Sequence, residues 1–190
     1  MQIRDFTEAQ VKEVYAKYLC VDFPADERKP LSVILPAFRR GGYRCLGLFE
    51  DNGLRGYAFL VPCREGVQTN YLLDYFAVLE GYRNQGFGSR FLSALPGIMP
   101  DAACILIEIE EPACAQPTDT EQRFRRQAFY FRCGCVDTGV QASVFGVRFR
   151  LLELPVKSVH DTAETRQIYG QIYRQILTKE QYDTKIAFIS

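Results

Sequence analysis

Polar and apolar positions along the chain change period several times, and each change marks an element. Gln2-Ile3-Arg4-Asp5-Phe6 alternates, which predicts a short first strand. Thr7 followed by Gln10 is a capping-box signature, and Val11, Val14, Tyr15, Tyr18 and Leu19 recur at helical spacing behind it. A charged, proline-bounded loop from Phe23 to Pro30 leads to a second helix over Leu31–Arg40, kinked or split at Pro36 and stopped by Gly41-Gly42. Tyr43–Glu50 and Leu54–Cys63 read as strands joined by Asp51-Asn52-Gly53, a strong hairpin signal. Arg64-Glu65-Gly66 then turns the chain into a strand over Tyr71–Val78.

A glycine-bearing loop follows, and then a helix from Gly86 to about Leu95, ended by Pro96-Gly97. Ala103–Glu110 is a strand, and Glu111–Thr120 a loop with Pro112 and Pro117. A helix over Thr120–Cys133 is expected to turn Phe124, Gln127, Ala128 and Phe131 inward, with Gly134 as its C-cap. Val136–Phe145 and Val147–Leu154 form a hairpin around Gly146. Ser158 with Asp161 offers a cap for a closing helix to about Leu177, whose stripe of Ile168, Tyr169, Ile172, Tyr173 and Ile176 reads as packing or a partner face. The fold class expected from this order is α/β, a mixed, mostly antiparallel central sheet flanked by helices, in a single domain over residues 1–190 with 158–178 as a C-terminal helical extension.

Composition narrows the function classes. With 23 basic and 23 acidic residues the formal charge is zero, so no basic field argues for nucleic acid or an acidic membrane. No apolar run is long enough to span a bilayer, and Met1-Gln2-Ile3-Arg4-Asp5 does not read as a signal peptide. The seven cysteines include no Cys-x-x-Cys pair, and the single His160 does not complete a zinc set, so no metal site is expected. Reduced, mostly buried thiols in a cytoplasmic protein are the expectation.

The loop after Val78 carries the chemistry. Gly86 and Gly88 remove side chains where a helix starts, so that several backbone N–H groups can point outward together. Helped by the positive end of the helix dipole, they form a seat for phosphate oxygens. The loop is not a Walker sequence, since Phe87-Gly88-Ser89-Arg90 has no lysine after the glycines. Nor is it a dinucleotide fingerprint, because Gly86 sits eight positions past Val78.

Arg83-Asn84-Gln85-Gly86-Phe87-Gly88 resembles the acetyl-CoA loop of the GNAT superfamily of N-acetyltransferases, Arg/Gln-x-x-Gly-x-Gly/Ala, at each defined position. Tyr75-Phe76-Ala77-Val78 looks like the strand that precedes it there, and the resemblance covers about residues 1–154. It implies the acyl-CoA N-acyltransferase (GNAT) fold and acetyl-CoA as co-substrate. It implies pyrophosphate binding at Arg83, Gly86, Gly88 and Ser89, with Asn84, Gln85 and Phe87 completing the loop. It also implies a splayed, bulged strand end at Phe76, Ala77 and Val78, whose backbone holds pantetheine and polarises the thioester. Arg83 could instead only pair with Glu80.

Tyr130 and Gly134, in Phe129-Tyr130-Phe131-Arg132-Cys133-Gly134-Cys135, match a second family segment, with Cys135 where phenylalanine is customary. The resemblance makes Tyr130 the general acid that returns a proton to the departing thiolate. Candidate bases for the amine are Glu110, with Glu108 on the same strand face, and Asp74. The alternatives are a solvated strand end for Glu110, a contact to a cationic substrate for Asp74, and deprotonation relayed by water. Asp26-Glu27-Arg28, Glu110-Glu111 and Asp119 form a candidate acidic rim, and Arg123, Arg125 and Arg126 either a solvated face or a phosphate contact.

The resulting expectation is transfer of acetyl from acetyl-CoA to a primary amine, by direct attack in a ternary complex. The implied partner is a small-molecule or peptide amine, with no nucleic acid and no membrane; a homodimer stays open. The competing expectations are a non-catalytic CoA-binding sensor or interaction module with the same fold, and a plain structural domain.

Overall fold

Left-handed backbone at Asp51 (φ 49°) and Asn52 (φ 61°) makes a two-residue turn that pairs Glu50 with Gly53. The same device recurs at Phe145 (φ 49°) and Gly146 (φ 87°), where Val144 pairs with Val147. Such turns match the twist of the strands they join and so fix both hairpin registers. The first turn is centred one residue earlier than Asn-Gly would place it, because aspartate and asparagine both tolerate φ > 0. The computed structural model describes residues 1–25, 27–66, 68–114 and 120–189; the predicted loop at Pro117 lies outside them.

One compact unit comprises Met1–Pro62 and Leu73–Leu92. It contains β1 (Gln2–Asp5), α1 (Glu8–Val14), a π turn (Tyr15–Leu19), α2 (Cys20–Asp22), α3 (Leu31–Arg39) and β2 (Arg44–Glu50). Most of β3 (Gly53–Glu65), the C-terminal part of β4 (Gln68–Val78), a 3-10 turn (Glu80–Tyr82) and the start of α4 (Phe87–Ile98) complete it. β1 runs antiparallel to β2 with Ile3 opposite Leu48, and β2 antiparallel to β3 with Leu46 opposite Ala58. Thr7 caps α1 with the expected reciprocal bonds to Gln10. The inward residues Val11, Val14 and Leu19 are buried, whereas Tyr15 and Tyr18 are only half covered. Phe59 centres this core, with Phe6, Tyr43, Tyr57 and Tyr75 edge-on around it at centroid distances of 5.9–6.5 Å.

The second unit comprises Cys63–Leu72 and Ser93–Ser190. Beyond the start of β4 it holds β5 (Ala102–Glu110), a 3-10 turn (Pro112–Cys114), α5 (Thr120–Arg132), β6 (Val136–Val144) and β7 (Val147–Pro155). It closes with α6 (Thr162–Ile176), α7 (Lys179–Lys185) and β8 (Ile186–Ile189). β7 pairs antiparallel with β5 on one side and β6 on the other, and β8 pairs antiparallel with the far edge of β6. β4 runs through both units, and the eight strands are ordered β1-β2-β3-β4-β5-β7-β6-β8.

Four sequence expectations need correction. α4 does not stop at Pro96-Gly97 but continues to Ile98. A proline there forfeits one bond in the final turn, while Leu92, Leu95 and Met99, all 0% exposed, hold that stretch down. α5 turns inward not Phe124 and Phe131, which stay about half exposed, but Tyr130, with Cys133 buried just beyond its end. The cap of α6 is Asp161 with Glu164, not Ser158 with Asp161. α7 and β8 were not expected at all, although Thr178 and Gln181 form the capping box that starts α7.

The Asp161 carboxylate accepts from the N–H of Glu164 at 2.8 Å. Asp161→Ala is therefore expected to lower unfolding free energy by about 1 kcal/mol, read as a shift of the urea midpoint at constant m-value. The packing reading of α6 holds: Ile168, Tyr169, Ile172 and Tyr173 are buried. None of the seven cysteines is in a disulfide; five are buried, Cys20 is half-buried and Cys114 exposed. Among the described residues no helix is long and apolar enough to cross a membrane.

Candidate active site

The glycine loop lies in the first unit, between β4 and α4. Asn84 (φ 61°) and Gly86 (φ 79°) are left-handed on either side of Gln85, an alternation that turns successive N–H groups toward one side of the backbone. Gly86 also opens α4, its carbonyl accepting from Arg90 N–H at 3.0 Å. Among the described residues, no backbone bond outside helices and strands uses the N–H of Asn84, Gln85, Gly86 or Phe87. Gly88 and Ser89 follow in the first turn, where helix geometry leaves N–H groups without an intrahelical partner. A Cβ added at Gly86 would meet nothing within 4 Å, so the glycine serves the backbone angle and the open approach rather than a tight packing contact.

The loop is braced from behind. Arg83 Nε donates to the Val78 carbonyl at 3.1 Å, and its Nη2 pairs with Asp22 at 2.7 Å, not with Glu80. Asp22 in turn accepts from the Tyr57 hydroxyl at 2.9 Å. Gln85 Nε2 donates to the Gly81 carbonyl at 3.0 Å. Tyr82 packs edge-on against Phe87 at 5.9 Å, with the Arg55 guanidinium over its ring at 4.2 Å. At the end of β4, Phe76 packs edge-on against Phe91 of α4 at 5.6 Å. Gly56 lets β3 pass close to this strand end: a Cβ there would stand 2.8 Å from the Ala77 carbonyl oxygen.

Asp74 lies further back on β4, in the same unit. Its side chain is 6% exposed and accepts from Lys29 Nζ at 2.6 Å and from the Tyr43 hydroxyl at 2.5 Å. Burial and the neighbouring carboxylate push the Tyr43 phenol well above its ordinary value. The Tyr75 hydroxyl accepts from Lys29 N–H at 2.8 Å, and burial raises it to about 12. These contacts tie the segment before α3 to β4.

Glu110 and Tyr130 belong to the second unit. Glu110 is paired with Arg123 of α5. Tyr130 is 3% exposed, and its carbonyl accepts from Cys133 N–H at 3.0 Å and Cys135 N–H at 3.1 Å. With Gly134 left-handed (φ 89°) and its N–H on the Phe131 carbonyl at 3.0 Å, this is a Schellman ending, and it fixes Tyr130 in the last turn. Burial raises the Tyr130 phenol, opposed by the Arg126 guanidinium, which is hydrogen-bonded to it. Glu108 accepts from both the Tyr169 and the Tyr173 hydroxyls of α6, the latter at 2.6 Å.

Two members of the candidate acidic rim are engaged within the protein. Glu111 is 6% exposed and bonded to Arg150 at 3.0 Å, and Glu110 is spent on Arg123, while Asp26 and Asp119 lie outside the described residues. The arginine cluster is likewise engaged within the protein, Arg123 on Glu110, Arg125 on Glu121 and Arg126 on Tyr130. The bracing residues Lys29, Tyr43 and Asp22 carry no sequence signal, since each meets its partner across 31 to 61 residues of chain.

The sequence profile of the acetyltransferase (GNAT) family matches residues 10–134, which include the loop and Tyr130. The chain belongs to the GNAT acetyltransferase family. It is by that membership an N-acetyltransferase. Several solved structures share the GNAT fold with it. One from Bacteroides thetaiotaomicron, described as an acetyltransferase of the GNAT family, is 20% identical with a TM-score of 0.67, covering 96% of this chain and 99% of its own. A Bacillus subtilis acetyltransferase in complex with CoA is 17% identical with a TM-score of 0.56, over 81% of this chain and 97% of its own. The aminoglycoside 6'-N-acetyltransferase of Enterococcus faecium is 13% identical with a TM-score of 0.60, over 85% and 100%. No curated protein gives a significant match.

Proposed function

We propose that this GNAT protein transfers the acetyl group of acetyl-CoA to a primary amine, by direct attack within a ternary complex. The observation that carries this reading is the row of N–H groups from Asn84 to Phe87 that no loop backbone bond uses, in a loop that fits the family motif at each defined position. Such a row at a helix N-terminus suits a diphosphate, and the solved Bacillus subtilis relative is a CoA complex. In this reading Asn84, Gln85, Gly86, Phe87, Gly88 and Ser89 hold the diphosphate on a loop that Arg83 braces through Val78 and Asp22, and backbone groups of Phe76, Ala77 and Val78 hold the pantetheine arm.

The amine nitrogen attacks the thioester carbonyl, the carbon–sulfur bond breaks, and the Tyr130 phenol gives its proton to the leaving sulfur. Its raised pKa keeps that proton in place at neutral pH. The ammonium proton goes to water, because the two candidate carboxylates already hold cations, Asp74 that of Lys29 and Glu110 that of Arg123. The acceptor is a small-molecule or peptide amine. Acetyl-CoA offered with an amine panel (polyamines, amino acids, aminoglycosides, N-terminal peptides) is expected to release free thiol with at least one acceptor. Tight CoA binding with no thiol release from any of them would instead favour a CoA sensor.

A further inference from the structure

Cys104 is far in sequence from Glu153 and His160, yet the Sγ, carboxylate oxygen and imidazole nitrogen all lie within 4.8 Å of one another. They come from three places in the second unit. Cys104 is on β5, Glu153 on β7, and His160 in the segment that leads into α6. Across the ladder Cys104 faces Pro155 and Ile105 faces Leu154, while Glu153 faces Leu106. Cys104 and Glu153 are therefore diagonal neighbours on one face of the sheet. Both are 0% exposed. The His160 side chain is 15% exposed and forms the outer side of the cluster.

The arrangement is held before any ligand arrives. Glu153 Oε2 accepts from the His160 backbone N–H at 3.3 Å, and its Oε1 stands 3.1 Å from His160 Nδ1. The Cys104 thiol points to the Asn70 side-chain oxygen at 3.4 Å. A buried carboxylate beside a thiol and an imidazole is an expensive set of groups to collect merely for packing.

We propose that Cys104, Glu153 and His160 form a binding site for a thiophilic divalent cation of the zinc class. Sulfur, nitrogen and oxygen donors together favour zinc or cobalt over magnesium or calcium. Metal–ligand bonds of about 2.0–2.3 Å put tetrahedral ligands roughly 3.3–3.8 Å apart, a closing of about an ångström from the present limit. Thiolate and carboxylate together balance the dication, and the thiol proton leaves to solvent. The fourth position falls to water, entering past His160. The ion staples β5 and β7 to the lead-in of α6 and is independent of the acetyl-transfer reading.

Titration of the purified full chain with Co²⁺ decides the matter. One equivalent is expected to give a thiolate-to-cobalt charge-transfer band in the near ultraviolet and the visible bands of a tetrahedral ion. Cys104→Ser should lose the charge-transfer band, and Cys114→Ser, at the exposed cysteine, should keep it. His160→Gln, a change at a partly open position, should weaken Co²⁺ binding roughly a hundredfold without altering the far-ultraviolet circular dichroism. Zn²⁺ should raise the melting temperature of the parent protein and not that of His160→Gln. A chain that shows no charge-transfer band, or one whose band survives in both Cys104→Ser and His160→Gln, overturns the proposal.

Discussion

Gly86→Glu is expected to weaken CoA binding by about two orders of magnitude, some 2.7 kcal/mol, while the fold persists. The glutamate places bulk and a negative charge where diphosphate oxygens would sit, against N–H groups that helix geometry leaves without partners. It also forces a side chain onto a backbone at φ 79°, which costs about 1–2 kcal/mol. Nothing lies within 4 Å of the new Cβ, so no neighbour is displaced and the cost stays local. Calorimetric titration with CoA measures the first effect and a thermal melt the second. Unchanged affinity in a folded variant would remove the loop from the binding site. Gly86→Ala separates the causes, since it carries the backbone strain without charge or reach and should lose far less affinity.

Tyr130→Phe is expected to cut turnover by about 10²–10⁴-fold with CoA affinity little changed. The ring stays in the last turn of α5, so its packing and the Schellman ending survive, and the phenol is lost together with its hydrogen bond to Arg126. Burial raises the parent phenol above its ordinary value of 10.0. An acid that ionises so late should leave turnover flat through mildly alkaline pH, with no falling limb from this group. A variant retaining full turnover would return Tyr130 to a purely structural part, and an alkaline limb seen in the parent but lost in the variant would contradict the late ionisation.

What the sequence could disclose follows the range of the interactions. Both hairpins, the cap of α1 and the ending of α5 are set by residues within a few positions of each other, and each was legible. The glycine loop is equally local, so its backbone could be anticipated along with its motif. The inner face of α5 could not, because Phe124 and Phe131 are apolar yet outward, and hydrophobicity alone favours the wrong stripe. The partners of Asp74, Glu110 and Arg83 are fixed by tertiary packing, and no spacing rule reaches across 45 or 61 residues to find Lys29 or Asp22. The grouping of Cys104 with Glu153 and His160 has no sequence signal, because Cys104 reaches them from a neighbouring strand.

The late strand β8 has a consequence for handling the protein. Its bonds occupy a margin of β6 around Gln141–Val144 that would otherwise offer bare amides and carbonyls to any extended peptide. Clipping away the last dozen residues would uncover that margin beside the exposed ring of Phe145, leaving an adhesive rim on an otherwise folded molecule.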